Sequence, residues 1–77
     1  MERDPVKRFA VVIESGLNNL SAYVPELPGC ISTGQTVEEI EHNIREAIEL
    51  HLEGMVEDGE AIPEPTTAVS YVELQVV

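Results

Sequence analysis

A chain of 77 residues is about half the length of an ordinary domain of roughly 150, which leaves room for one small fold and excludes chemistry built between two domains. Fifteen acidic residues against four basic ones give a formal charge of −11, which repels phosphate backbones and excludes direct nucleic-acid binding by this chain alone. A single cysteine, Cys30, excludes an internal disulfide framework and a zinc finger; with no long apolar run and no charged-then-apolar leader, a cytoplasmic protein without a membrane anchor is expected.

Residues 1–6 carry charge, a proline and no periodicity, and are expected to fray. From Lys7 to Glu14 the β-branched run predicts a strand with Phe9, Val11 and Ile13 on one face and Ala10 and Val12 on the other. Ser15 to Asn19 supply turn chemistry, after which Leu20, Ala22 and Val24 alternate with Ser21 and Tyr23, so the two segments read as a hairpin with a loop longer than two residues. Pro25 and Pro28 each remove a ladder donor and Gly29 permits a backbone that other residues avoid, ending strand two. A short third strand, Cys30 to Thr33, follows.

Thr36 with Glu39 three residues on is a capping-box pattern and opens a helix that runs to about Asp58, with Gly59 as its C′ residue. At about 100° per residue, Val37, Ile40, Ile44, Ala47, Ile48, His51 and Met55 share one apolar stripe. Ala61 to Pro65 reads as an extended linker. Ala68 to Val77 reads as a last strand, with Val72, Leu74 and Val76 facing one way and Tyr71, Glu73 and Gln75 the other. The order β-β-β-α-β predicts a single α+β domain over residues 7–77, a mostly antiparallel sheet with one helix packed on one face. The face without a helix is expected to be covered by a second copy or a partner protein, since small cores are commonly supplemented by association.

Catalytic and metal-binding groups do not converge in this pattern. Cys30 follows a Pro-Gly turn with no cation nearby in sequence, and is expected to be a small buried hydrophobe. His42 and His51 lie about 180° apart on one helix and cannot share a metal; His51 falls on the apolar stripe and His42 on the solvated side. Glu14 and Glu73 have no companion base or ligand at fixed spacing. The glycines form no phosphate-cradling motif, and Gly54, inside the helix, is expected to mark tight helix packing, because it costs about 1 kcal/mol relative to alanine otherwise. No enzyme, cofactor or metal is expected.

The helix carries an outward stripe of Glu39, Glu46, Glu49, Glu53 and Glu57, in which 46/49, 49/53 and 53/57 are like-charge neighbours that each cost about 0.2–0.5 kcal/mol in an isolated helix. Such a stripe is either a solvated face that aids solubility or a docking surface that imitates a phosphate backbone and steers a basic protein.

The segments Phe9-Ala-Val-Val-Ile-Glu14, Ser21-Ala-Tyr-Val-Pro-Glu-Leu-Pro-Gly-Cys30, Thr36-Val-Glu-Glu39, Asn43-Ile-Arg-Glu-Ala-Ile-Glu49 and Glu57-Asp-Gly-Glu-Ala-Ile-Pro63 together resemble the HicB-like antitoxin domain over about residues 7–77. The resemblance implies a partial, degraded RNase H-like βββαβ fold and a role in a type II toxin–antitoxin pair. In such pairs the HicB protein binds and masks HicA, a small basic mRNA-cleaving toxin. Many members of the family also carry a C-terminal DNA-binding domain, whereas this chain reaches Val77 in the predicted last strand, so operator binding is not expected of it. The aspartate cluster of two-metal chemistry is missing, the aspartates being Asp4 and Asp58.

The expectation is thus an antitoxin that occludes a basic ribonuclease as a homodimer or larger assembly. Glu46, Glu49, Glu53 and Glu57 are the candidate steering surface, and Tyr23, Leu27 and Pro28 the candidate apolar anchor. The alternatives are an orphan oligomeric module that binds a protein or ligand without a toxin, and a remnant hydrolase using Glu14 or His51.

Overall fold

Three short strands and one long helix follow one another as β1 (Val12–Ser15), β2 (Leu20–Tyr23), β3 (Ile31–Gly34) and α1 (Val37–Glu57), in a computed structural model that describes residues 7–77. The expected fraying of residues 1–6 lies outside the described residues. The sheet has the order β1-β2-β3 and both pairs are antiparallel. With the helix after the third strand this is the expected α+β arrangement.

The register explains which side chains meet the helix. Val12, Tyr23 and Ile31 are opposite one another across the three strands, as are Ile13, Ala22 and Ser32, and Ser15, Leu20 and Gly34. Alternation along a strand then puts Ile13, Ala22 and Leu20 on the helix side and Val12, Tyr23 and Ile31 on the other. The hairpin loop is Gly16–Asn19, closed by the Gly16 N–H donating to the Asn19 carbonyl at 2.7 Å.

β1 begins five residues later than the sequence predicts. Its partner strand leaves the ladder at Val24, because Pro25 has no N–H to donate, so residues 7–11 have no β2 backbone to pair with. Phe9 and Val11 still pack against the core. Between β2 and β3 the chain makes two consecutive turns, in which Leu27 N–H donates to Val24 C=O at 3.1 Å and Cys30 N–H to Leu27 C=O at 3.0 Å. Each turn has proline at its second position, and Gly29, at φ +86°, supplies the left-handed residue that the second requires. The Val24 N–H closes the loop onto the Cys30 carbonyl at 3.2 Å.

Thr36 caps the helix as expected, accepting from the Glu39 N–H at 3.1 Å through its hydroxyl oxygen. The reciprocal bond of the box is shifted by one residue, for Glu39 Oε1 accepts from Gln35 N–H rather than from Thr36. At the other end Gly59, at φ +72°, lets its N–H reach Val56 C=O and the Glu60 N–H reach Met55 C=O, the paired bonds of a Schellman stop. Asn43 ties the helix to the sheet edge, its side-chain N–H donating to the Thr33 carbonyl at 2.9 Å.

The core consists of Ala22, Val24, Leu27, Cys30, Ile40 and Ile44, with Phe9, Val11, Leu20, Ala47, Ile48, Leu52 and Met55 packed around it. Two expectations fail here. Val37 is exposed rather than on the buried stripe: it lies only about 60° around the helix from Ile40, but it is the first helical residue and precedes Ile40, where the buried contact with the sheet begins. Gly54 is not a site of tight packing, since a methyl group built there meets nothing within 4 Å.

The predicted last strand is a further correction. Residues 60–77 form no helix or strand, and from Val69 onward the side chains are exposed, with Tyr71 at 92 % and Leu74 at 80 %. The alternating pattern of Ala68 to Val77 is that of a strand, but among the described residues it has no neighbouring backbone to bond, and a strand exists only in a pair. The base of this segment is fixed nonetheless. The Thr66 N–H and hydroxyl and the Thr67 N–H donate to Glu26 Oε2 at 2.5, 3.2 and 3.3 Å, and Lys7 Nζ lies 2.6 Å from Glu64 Oε1.

Candidate protein-interaction site

Glu39, Glu46, Glu49, Glu53 and Glu57 are all exposed. At about 100° per residue, Glu39, Glu46, Glu53 and Glu57 fall within an arc of about 40°, opposite the arc centred on Ile40, Ile44, His51 and Met55 that meets the sheet. Glu49 lies about 60° to one side, where with Glu41 and Arg45 it rims a groove between the helix and β1. His42 Nε2 stands 3.1 Å from Glu46 Oε1 on the exposed side, as its place in the sequence indicates, and it is the partner that sequence reasoning did not assign to Glu46.

This stripe opposes the helix's own electrostatics. Two glutamates, Glu38 and Glu39, suit the positive N-terminal end, but the last turn holds no basic residue and ends on Glu57 and Asp58 against the negative end. A misplaced charge there costs typically about 0.3–1 kcal/mol, in addition to the repulsion among neighbouring glutamates.

The three candidate anchor residues divide. Tyr23 is 41 % exposed on the helix-free face of the sheet, in a row with Val12 and with Ile31, which is 69 % exposed. Pro28 is exposed on the turn between β2 and β3. Leu27 is 1 % exposed and belongs to the core, so it is not available to a partner. Its turn puts the side chain inward because two tight turns in succession fold the loop over the end of the sheet; nothing in the local sequence distinguishes Leu27 from an exposed turn residue. Ile31 was missed as a surface residue, although its position beside Cys30 in an alternating segment is the signal for it.

Groups with chemical potential are kept apart. Cys30 is 3 % exposed, as expected of a packed hydrophobe, and burial pushes its thiol pKa up, away from the thiolate that a nucleophile needs. Glu14 lies on the helix-free face of the sheet and His51 on the half-buried flank of the helix at the opposite face, so the two do not share a site. Among the described residues no three His, Cys, Asp or Glu side chains come together to hold a metal ion. No helix among them is long and apolar enough to cross a membrane.

Glu26 is a positioning residue that sequence reasoning did not find. The Thr66 N–H holds its carboxyl below the usual carboxylate range, with partial burial acting against it and the Thr66 hydroxyl and Thr67 N–H adding to the effect. A glutamate forty residues before its partners in a proline-flanked turn gives no local signal of this role. The groove between β1 and the helix, about 420 Å³, was likewise not foreseen; Phe9, Val11, Ile13, Ile44 and Ile48 line it and Lys7 and Arg45 stand at its rim with the two glutamates.

The described residues thus form a three-stranded sheet with one face covered by a helix whose outer side is acidic. Residues 9–75 match the model of the HicB-like antitoxins of bacterial toxin–antitoxin systems, and the chain belongs to that family. It is 38 % identical over 64 residues to an uncharacterised 14.9 kDa protein from the rep–hol intergenic region of Haemophilus phage HP1, covering 83 % of this chain and 48 % of the phage protein. It is 54 % identical over 41 residues to a UPF0150 protein of Helicobacter pylori, covering 53 % and 57 % of the two chains, and 43 % identical over 58 residues to one from Archaeoglobus fulgidus, covering 71 % and 84 %. The chain thus spans about half the length of the phage and Helicobacter relatives. No solved structure matches it significantly.

Proposed function

We propose that this chain is the antitoxin of a type II toxin–antitoxin pair and that it masks a small, basic, mRNA-cleaving toxin of the HicA type by covering its RNA-binding surface. What carries this reading is the family match across residues 9–75 on a chain of charge −11. The carboxylates of Glu46, Glu49, Glu53 and Glu57 offer a basic ribonuclease the negative charge it expects of RNA, and they do so on a rigid helix. An electrostatic arrangement that costs the helix stability is accounted for if a basic partner neutralises it on binding.

The apolar contact is assigned to the helix-free face, where Tyr23 and Ile31 lie exposed beside Val12, with Pro28 at its end. A central aromatic within a rim of polar groups is the usual composition of a binding hot spot. The chain acts without chemistry of its own, in a homodimer or larger assembly, in the cytoplasm.

Charge reversal tests the steering surface. Glu46→Lys with Glu53→Lys should slow association with the toxin by about tenfold or more at low salt and flatten its salt dependence. Unchanged rates at both salt concentrations would move the interface off the helix.

A further inference from the structure

We propose that residues 68–77 are a strand arm that this chain donates to a second copy, where it adds to the free edge of β1 and covers the groove between β1 and the helix. The arm has the composition of a buried strand and the exposure of an unfolded one. Val72, Leu74 and Val76 alternate with Tyr71, Glu73 and Gln75, and all of the apolar members stand in solvent, with Val76 at 87 % exposure. The family match runs to residue 75, so this segment is part of the shared domain and not a linker beyond it.

The arm is held out. Pro63 and Pro65 restrict the backbone at its base, and the bonds from Thr66 and Thr67 to Glu26 and from Lys7 to Glu64 fix where it leaves the body. A short cleft of its own body, lined by Arg8, Phe9, Ala10, Thr67 and Val69, receives only the root. Beyond Val69 it forms no strand with its own sheet.

The receiving site is present on every copy. β1 is an edge strand, paired with β2 on one side and open on the other, and an open edge recruits a strand. Beside that edge lies the open groove of about 420 Å³, with Phe9, Val11, Ile13, Ile44 and Ile48 as its apolar lining and charged residues at its rim. A strand added there presents one set of alternate side chains to the groove, and Val72, Leu74 and Val76 are the apolar set.

The arm's exposure, and its lack of pairing with its own sheet, point to a second copy as the occupant, and charge permits it. A chain of net charge −11 repels itself in general, but the arm carries a single charged side chain, Glu73, and Lys7, Arg8 and Arg45 all lie at its destination. At the groove Lys7 and Arg45 offset Glu41 and Glu49, and Arg8 lies on the opposite face of the same segment, the face to which Glu73 would point. Exchange is reciprocal, so both arms are buried at once and the dimer closes on itself.

The test uses the full chain. Isotope-labelled and unlabelled protein are mixed, and filtered nuclear Overhauser spectra are recorded alongside light scattering. A dimer with cross-peaks between Leu74 of one copy and Ile13 or Ile48 of the other is expected. A monomer at the same concentration, or cross-peaks from Leu74 to Ile13 only within one copy, would overturn the exchange. Val72→Asn with Leu74→Asn should weaken self-association by at least about tenfold with the helix signal in circular dichroism retained; a variant that dimerises as before would also overturn it. The inference does not rest on the antitoxin reading, since a monomeric chain that still silenced a toxin would refute only the arm exchange.

Discussion

Gly34 lies so close to Ile40 that a methyl group on its Cα would stand 2.9 Å from the Ile40 backbone nitrogen and 3.1 Å from its Cα. The end of β3 and the first turn of the helix are thus in backbone contact, and Ile40 is wholly buried at that junction. Gly34→Ala must push the helix from the sheet, and we expect a loss of about 1–3 kcal/mol in urea unfolding. An alanine variant as stable as the parent would show that this junction yields.

Gly54 is the converse. It sits inside the helix with open space where a Cβ would go, so Gly54→Ala should raise stability by about 1 kcal/mol through helix propensity alone. A drop in melting temperature would reveal a close neighbour supplied by another molecule.

Leu27 and Tyr23 separate folding from binding. Leu27→Ala removes a fully buried side chain and should cost about 2–5 kcal/mol, enough to unfold much of so small a domain. Tyr23→Ala, on the exposed face, should leave the unfolding midpoint nearly unchanged and weaken toxin binding. Equal effects of the two on stability would place Tyr23 in the core as well.

Glu26 anchors the root of the C-terminal arm through its bonds from Thr66 and Thr67. Its carboxyl titrates below its ordinary value of 4.5 in the folded chain, so the stability it lends is present above that pH and lost as pH falls through the lower folded-state pKa. Amide exchange at Thr66 and Thr67 should accelerate over that acid window, and Glu26→Gln should bring the faster exchange to neutral pH. Exchange at those amides that ignored both pH and the substitution would deny Glu26 the anchoring role.

The elements that were legible in the sequence are those whose pattern is local. Thr36 with Glu39 and Gly59 set the helix ends, and the proline-bounded run from Leu20 to Val24 set the hairpin, because caps and turns are short-range chemistry. What was not legible depends on distant pairing. The alternation of Ala68 to Val77 announces a strand without saying which backbone it bonds, and residues 7–11 lose their partner only because Pro25 stands opposite. The exposed stripe of Glu39, Glu46, Glu53 and Glu57 could be read from 3.6-residue periodicity, whereas Glu49 stands aside at the groove rim. Leu27 could not, since a turn residue and a core residue have the same neighbours in sequence there, and Glu26 finds Thr66 only in the folded chain.

The most direct measurement of the central claim is inhibition. The chain is purified from its native cells with whatever binds it in near-equal amount, the two are separated, and RNA cleavage by the bound protein is followed with and without the chain added back. A small basic protein that cleaves RNA alone and stops at one equivalent of this chain is the predicted result. A chain recovered only with copies of itself, or a partner whose RNA cleavage continues unchanged in its presence, would contradict the antitoxin function.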